Sequence, residues 1–284
     1  MSLTGASPVQ VLAPEPVCPV SGLPDIDWAH PWFGPVAHPG QGALARGDWR
    51  NALSAQAASA GLTSGLGRPL RFVAQDDLPA GTAYEAFIAE SGGVPTRHNL
   101  HDFFNALIWL TFPKGKAALN RRQATAIARD GVQATRGATR DAATLFDENA
   151  VLFACSDPAL SAALRAFDWR TLFVTRRAEW GRACEVQPFG HALLEKLVAP
   201  YKSVTAHAWI VDVPETYFDA EPAARRAWLD DEITPVLASA LLTTRDFAPL
   251  PVLGVPGWWP ENDDPTFYAD ATVFRPGRRR QPSA

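Results

Sequence analysis

The sequence predicts a single α+β domain with a small mixed sheet, helices packed against it and long irregular ends. The centre of the chain alternates short apolar runs with helical patterns, in the order strand, helix, strand, helix, strand. The 284 residues are enough for a sizeable core. Because neither a repeat nor a long linker divides the chain, we expect an irregular lead over residues 1–24, one domain over residues 25–278 and a basic tail over residues 279–284.

Three apolar segments form the strands of the predicted sheet. They are Ala150–Cys155, Thr171–Thr175 and Val204–Val213. The helix after the first strand begins at Asp157, which suits an N-cap, with Pro158 at the first helical position. The next helix is expected over Phe189–Ala199, and a longer one over Glu221–Leu242. The Pro-rich remainder of the chain is expected to be irregular.

The N-terminal half contains an aromatic segment followed by shorter patterns. We expect Asp25–Val36 to lie as an extended arm over apolar surface, because Pro31 and Pro35 oppose a regular helix. The elements expected after it are a helix at Trp49–Ala60, a strand at Leu70–Ala74, a helix at Ala83–Glu90 and a helix at Lys114–Gly131.

Composition narrows the class of function. The formal net charge of -4 argues against a general nucleic-acid-binding protein. No apolar run approaches the roughly 20 residues of a membrane span, and the N-terminus does not resemble a signal peptide. The three cysteines, Cys18, Cys155 and Cys184, form no CxxC pair and are expected to be reduced thiols. We therefore expect a cytoplasmic protein whose ligand is a small molecule, with no membrane or nucleic-acid partner.

The stretch Pro95–Pro113 carries the strongest functional signal. On a helix its apolar residues fall on one side, and its polar and aromatic residues gather on the other within an arc of roughly 100°. The second face contains none of the Lys, Glu, Gln or Ser residues that usually solvate a helix. The residues of that face are His98, His101, Asp102, Asn105 and Trp109. Their side chains titrate, ligate metals or form directed hydrogen bonds, so the pattern predicts a site.

Several motifs of the chain resemble those of a known family. The segment His98–Lys116 reads HNLHDFFNALIWLTFPKGK. Further matching segments are Leu145–Asn149, Phe189–Leu197, Thr205–Trp209, Pro249–Trp258 and Phe267–Pro276. Together they resemble the signature of a bacterial family known only as a domain of unknown function, over about residues 25–278. The resemblance implies a grouping and no activity.

Two His–carboxylate pairs suggest a divalent metal site. His98 and Asp102 are spaced i, i+4, and His191 and Glu195 repeat that spacing on the helix that begins near Phe189. His207, in a predicted strand, is a further candidate ligand. Imidazole and carboxylate suit zinc, manganese or iron. The same pairs are also compatible with hydrogen-bonded contacts between packed elements, which are the commoner arrangement.

Metal-free acid–base catalysis is an alternative for the same helix. His98 or His101 would act as general base, Asp102 would orient it, and Asn105 would position the substrate or stabilise an oxyanion. The pattern leaves the choice between this mechanism and a metal site open.

Other residues near the signature are candidates for substrate binding. Arg97 and Lys116 flank the helix and could bind an anionic group, although both could be surface charges. Trp109 could line a pocket, although tryptophans are more often part of the core. Asp147 and Glu148 precede the first central strand and fit a turn as well as a ligand set.

These observations favour a hydrolase-like enzyme with a His and carboxylate site. The chain lacks a GxSxG nucleophile elbow and a phosphate-binding glycine loop, which argues against those classes of active site. The alternative is a non-catalytic binding or scaffold protein in which the His and Asp signature is structural.

Overall fold

The predicted central sheet is present in the computed structural model, which describes residues 22–130, 138–239 and 242–277. The strands of these residues are β1 (Arg71–Ala74), β2 (Gly93–Thr96), β3 (Ala150–Cys155), β4 (Cys184–Pro188), β5 (Thr205–Asp212) and β6 (Phe247–Pro251). The α-helices are α1 (Gly34–Leu44), α2 (Trp49–Ser59), α3 (Tyr84–Ser91), α4 (Leu100–Thr111), α5 (Pro113–Asp130), α6 (Ala138–Asn149), α7 (Pro158–Arg165), α8 (His191–Lys196) and α9 (Pro222–Ala238).

The larger sheet is mixed, in the strand order β4-β3-β5-β6. β3 is parallel to β5 and antiparallel to β4, while β6 is antiparallel to β5. Because β3 has a neighbour on each side, all six of its residues are buried, which accounts for its unbroken apolar sequence. One hydrophobic core joins this sheet to the helices. The prediction of a single α+β domain with a small mixed sheet is confirmed.

The strand predicted at Thr171–Thr175 is wrong. These residues belong to a π-helical turn, Arg170–Thr175, in which Leu172 and Phe173 are buried. A short apolar run has no periodicity that separates a buried strand from a buried helical turn. The antiparallel neighbour of β3 is instead β4 (Cys184–Pro188). Its polar residues, Glu185 and Gln187, interrupt the apolar pattern by which a buried strand is predicted.

The N-terminal arm packs on the core as expected but is not extended. Within Asp25–Val36, a 3-10 turn at Pro31–Phe33 leads directly into α1. Both prolines occupy one of the first two positions of a helical segment, where no N–H donor is required. Trp32 and Phe33 are completely buried. The prediction of a structural arm is therefore confirmed for its burial and corrected for its conformation.

The C-terminal region is more regular than expected. β6 contains Pro249 and Pro251 and forms an edge of the sheet, which is where proline is tolerated. A second, parallel sheet pairs β1 with β2 just before α4. The helix expected over Phe189–Ala199 is shorter, because only the six residues of α8 are helical.

The two ends of the chain lie largely outside the described residues, including the basic tail and most of the irregular lead. Across the described ranges, none of the helices has both the length and the apolar character that crossing a bilayer would require.

Candidate metal centre

Three helix ends meet beside the central sheet and bring two histidines and a glutamate together. His101 lies in the first turn of α4, Glu148 in the last turn of α6, and His191 is the first residue of α8. Helix α8 packs against both α4 and α6. The residues that converge were separated by up to ninety positions in sequence.

The start of α4 is fixed by its own capping residues. Asn99 is the N-cap, and its side chain accepts a 2.8 Å hydrogen bond from the backbone N–H of Asp102. The Asp102 carboxylate in turn accepts the backbone N–H of Arg97 at 2.7 Å. His98 therefore precedes the helix, where its Nδ1 accepts a 3.2 Å hydrogen bond from the indole of Trp49. The expected pairing of His98 with Asp102 along one helix face is not formed.

A glycine brings α8 against the end of α6. A Cβ atom at Gly190 would lie 2.6 Å from backbone atoms of Asn149 and Ala150, so no larger residue fits without movement of the backbone. The N–H of Gly190 donates to the carbonyl of Ala150 at 2.8 Å. Since β3 follows α6 without an intervening residue, His191 is held next to the last turn of α6.

His101 is held between two carboxylates. Its Nδ1 lies 3.1 Å from Oδ1 of Asp102, and its Nε2 lies 3.3 Å from Oε2 of Glu148. The hydrogen bond to Asp102, followed by the one to Glu148, raises the pKa of His101 to about 10. Without a metal, the ring is therefore an imidazolium that donates from both nitrogens at neutral pH.

His191 is almost completely buried and remains neutral. Its ring stands nearly perpendicular to that of His101, with the ring centroids 4.5 Å apart. Its Nε2 lies 3.5 Å from Oε2 of Glu148. Its Nδ1 is 3.9 Å from Oδ2 of Asp147, too far for a hydrogen bond, and has no other partner among the described residues. Burial lowers the pKa of His191, and the attraction of Asp147 does not outweigh it.

The geometry of His101, Glu148 and His191 suits a metal ion. One ligand atom from each residue lies within 4.8 Å of the other two. Ligand atoms about 2.1 Å from one zinc ion lie roughly 3–4 Å apart. The two His–Glu separations, 3.3 and 3.5 Å, fall in this range. The three side chains can therefore hold a divalent cation through two imidazole nitrogens and one carboxylate.

Each histidine has a second carboxylate on its Nδ1 side, and each of these carboxylates has a cationic partner. Arg97 donates to Asp102 from Nε and Nη2, both at 3.0 Å. Burial opposes ionisation of Asp102, but the hydrogen bonds from His101 and Arg97 hold its pKa well below the usual value. Lys116 donates to Asp147 at 2.5 Å, and its charge lowers the pKa of Asp147 despite burial. An outer carboxylate that accepts a hydrogen bond orients a metal-binding histidine, as Asp102 does for His101. Asp147 places a negative charge 3.9 Å from Nδ1 of His191 without a hydrogen bond.

Lys116 is a buried residue beneath this centre. Its ammonium group donates to Asn105 Oδ1 at 2.8 Å as well as to Asp147, and it lies 5.5 Å from the ring centre of Trp109. The amide nitrogen of Asn105 donates to the hydroxyl of Tyr84 at 3.2 Å. Asn105, Trp109 and Lys116, all expected near a substrate, thus form one network, and all three are buried.

A cavity of about 670 Å³ opens beside the three side chains. His101, Glu148 and His191 contribute to its lining, together with Arg97 and Tyr84. The remaining lining includes the uncharged residues Gln75, Leu78, Ala83, Gln123, Ile127 and Thr144. A small molecule in the cavity would lie next to the His and Glu side chains.

Of the five predicted metal ligands, only His191 belongs to the His–Glu group. Asp102 lies outside it, with its Oδ1 3.1 Å from Nδ1 of His101. His98 bonds Trp49, as described above. Glu195 is part of α8 but is not one of the three converging ligands. His207 is in β5, where its ring lies 6.3 Å from that of Phe247 and burial lowers its pKa. The i, i+4 spacing therefore pointed to α4 and α8 and to His191, but not to His101 or Glu148 as the residues that meet it.

Little in the sequence indicates that Glu148 and Tyr84 lie at this cavity. Glu148 follows Asp147 directly before the apolar strand β3, and a carboxylate pair at the edge of a buried strand is a weak signal for a site. Tyr84 is the first residue of α3, in a segment without other unusual features. Only the tertiary packing brings them to the cavity.

Comparison with known proteins places the chain in a family. A family model described as "Protein of unknown function (DUF3025)" matches residues 70–278. The match covers more than half of the chain, so the protein belongs to this family, which confirms the resemblance inferred from its motifs. The matched region includes all three converging side chains. No curated protein and no solved structure matches the chain.

Proposed function

We propose that this DUF3025 protein is a metal-dependent hydrolase whose divalent ion is bound by Nε2 of His101, Nε2 of His191 and the carboxylate of Glu148. The observation that carries the proposal is the sharing of Glu148 by both histidines, at 3.3 and 3.5 Å, with a further carboxylate on the Nδ1 side of each ring. This combination of two imidazoles, one carboxylate and outer carboxylates is typical of zinc enzymes.

The charges around the centre favour a cation. Without a metal, His101 carries a positive charge between Asp102 and Glu148. A metal ion held by Nε2 of His101 would take the place of the proton between this nitrogen and Glu148. The proton on Nδ1 would remain hydrogen-bonded to Asp102. His191 is already neutral and can donate its lone pair. Metal binding therefore needs the loss of one proton and no rearrangement of the outer carboxylates.

The number of ligands favours catalysis over a structural role. Structural zinc sites are closed by four protein ligands, whereas catalytic sites have three and an open position. Among the residues that the structure describes, three ligands converge beside a cavity large enough for a small molecule. A divalent ion at such a position would lower the pKa of bound water and polarise a carbonyl or phosphoryl oxygen, which is the chemistry of hydrolysis.

A metal-free acid–base mechanism is the second candidate. It is favoured by the contrast between a protonated His101 and a neutral His191 in one cavity. In that mechanism His101 would be the acid and His191 the base. The mechanism differs from the metal proposal in a simple way, because its activity would survive complete removal of metal.

Metal titration tests the proposal. Protein without a tag is stripped with a chelator and titrated with Zn²⁺, Mn²⁺ and Co²⁺ by calorimetry. We expect one ion per chain, with affinity reduced at least 100-fold in His191→Gln and in Glu148→Gln, since each removes a direct ligand. His98→Gln and His207→Gln are matched controls, because these histidines lie outside the group, and both should bind like the parent.

Two results would overturn the metal centre. One is the absence of stoichiometric binding by the stripped parent protein. The other is binding that is unchanged in His191→Gln and Glu148→Gln, which would place the ion elsewhere. Hydrolysis that persists at full rate in the stripped protein would support the acid–base mechanism instead.

A further inference from the structure

We propose that the centre hydrolyses an uncharged carboxylic ester or amide, and that the hydroxyl of Tyr84 donates a hydrogen bond to the substrate's carbonyl oxygen. This inference rests on the proposed metal-dependent hydrolase and adds a substrate class and a catalytic residue to it.

The orientation of the Tyr84 hydroxyl follows from the network behind it. The ammonium group of Lys116 can only donate, so the side-chain oxygen of Asn105 must face it, at 2.8 Å. The amide nitrogen of Asn105 then faces Tyr84 and donates to the phenolic oxygen at 3.2 Å. The hydroxyl oxygen of Tyr84 is thus an acceptor towards Asn105, and its own hydrogen is available for another partner.

That hydrogen is free to serve a ligand in the cavity. Among the described residues, none accepts a hydrogen bond from the Tyr84 hydroxyl. Tyr84 lines the same cavity as His101, Glu148 and His191. Burial, reinforced by the charges of Glu85 and Asp102, raises the pKa of Tyr84 well above its usual value, so the phenol keeps its proton. A fixed neutral donor beside a metal-binding group is suited to a developing oxyanion.

The charges of the cavity favour an uncharged substrate. The guanidinium of Arg97 is engaged by Asp102 through two hydrogen bonds. His101 lies between Asp102 and Glu148, and the buried Lys116 is paired with Asp147. Among the described lining residues, every cation thus has a carboxylate partner. Besides a metal ion, phosphate recognition relies on cationic side chains whose charge is not already compensated, so a neutral ester or amide matches this cavity better than a phosphate ester.

The reaction is an addition followed by an elimination. Water adds to the carbonyl carbon, a C–O bond forms, and the π electrons move to the carbonyl oxygen, which Tyr84 stabilises. The electron pair on that oxygen then re-forms the carbonyl, and the C–O bond of the ester, or the C–N bond of the amide, breaks with its electrons leaving on the oxygen or nitrogen. The proton lost by the water passes to the leaving oxygen or nitrogen. One water is consumed, and an acid and an alcohol or amine are released without oxidation or reduction.

The first experiment uses the Zn²⁺-loaded protein with p-nitrophenyl acetate and p-nitrophenyl phosphate as probes. We expect hydrolysis of the acetate, absent in His191→Gln, and no hydrolysis of the phosphate above background. Tyr84→Phe should lower kcat for the acetate about 100-fold, with KM and metal affinity close to those of the parent. Tyr201→Phe is the matched control, since Tyr201 is 54% exposed, and it should leave kcat unchanged.

Asn105→Asp tests the orientation argument without removing the hydroxyl. A carboxylate at this position has no N–H, so it would accept a hydrogen bond from Tyr84 and turn the phenolic hydrogen away from the cavity. Asn105 is a positioning residue, and we expect kcat to fall as in Tyr84→Phe while KM and zinc affinity stay near the parent values. A purely structural role for Asn105 would not separate kcat from KM and metal affinity in this way.

The outcomes separate this inference from the proposed function. Zinc binding that depends on His191, together with full activity of Tyr84→Phe, would refute the role of Tyr84 and leave the metal centre intact. Faster hydrolysis of the phosphate than of the acetate, or no acetate hydrolysis by zinc-loaded protein, would refute the substrate class. Failure to bind zinc would remove the proposed function itself.

Discussion

Replacing Lys116 by methionine should destabilise the protein strongly, whereas the same change at Lys114 should have no resolvable effect. The side chain of Lys116 is 5% exposed and that of its partner Asp147 is 15% exposed. Methionine fills a similar volume but leaves the Asp147 carboxylate without its main partner. In contrast, Lys114 and Asp231 form an ion pair in which both side chains are about 60% exposed.

The magnitude follows from the burial of the pair. Removing one member of a buried ion pair costs about 3–5 kcal/mol, because the other charge is left uncompensated. Asp147 retains some solvent contact and the nearby charge of His101, which places the expected loss near 3 kcal/mol. For a chain of this size, such a loss lowers Tm by about 6–12 °C.

Urea unfolding at pH 7, followed by tryptophan fluorescence in the presence of a chelator, measures this loss without a contribution from metal binding. The double variant Lys116→Met/Asp147→Asn removes the stranded charge and should recover at least half of the lost free energy of unfolding. A loss below about 1 kcal/mol in Lys116→Met, or no recovery in the double variant, would show that Asp147 is not an uncompensated buried charge.

Three further predictions concern packing. Gly190→Ala should destabilise the protein and abolish metal binding, because the added Cβ meets backbone atoms at 2.6 Å, whereas Gly42→Ala, with open space in α1, should be neutral or stabilising in thermal unfolding. Deletion of residues 1–39 should lower Tm markedly or prevent folding, since it removes fully buried aromatic side chains. Cys155 and Cys184 should escape Ellman's reagent at pH 8 until denaturant is added, because burial raises the pKa of both thiols and so reduces the reactive thiolate.

Each of these predictions has a contrary result. Equal Tm values for Gly190→Ala and Gly42→Ala would mean that the backbone around Gly190 can move aside at little cost in free energy. Unchanged melting after the deletion would make the N-terminal segment a detachable element. Rapid labelling of either buried cysteine in the native protein, located by peptide mass spectrometry, would show that β3 and β4 open readily.

A strand could be predicted from the sequence where both of its faces are buried. A strand could not be predicted where it carries a charged residue whose partner lies far away in the sequence. Ala150–Cys155 is apolar throughout because neighbouring strands and helices cover it. β4 carries Glu185, whose charge is matched by Arg225 from α9, with 2.5 Å between Oε2 and Nη1. No local pattern shows that pairing, so the sequence favours the more apolar Thr171–Thr175 as a strand. The residue types in a short segment indicate whether that segment is buried, but they do not indicate ion pairs with residues that are distant in the sequence.

The candidate site was predictable in its segments but not in its partners. The prediction of His98 as a site residue requires a helix that begins immediately after Pro95. Asn99, followed three residues later by Asp102, is a recognisable N-cap pattern and would have started the helix at Leu100. With that start, His101 becomes the first-turn histidine. The contribution of Glu148 depends on how α6 meets α8, which is a property of the packing alone.

Because α6 is joined directly to β3, the metal centre depends on the number of residues at this junction. Asn149 ends the helix and Ala150 begins the strand, while the Asn149 side chain bonds the carbonyl of Thr205 and accepts from Lys196. Adding one residue here would leave both elements intact but rotate Glu148 by about 100° relative to the sheet. The position of Glu148 therefore depends on the exact number of residues at the junction of α6 and β3. Loop grafting and circular permutation can alter other connections, but this one must keep its residue count.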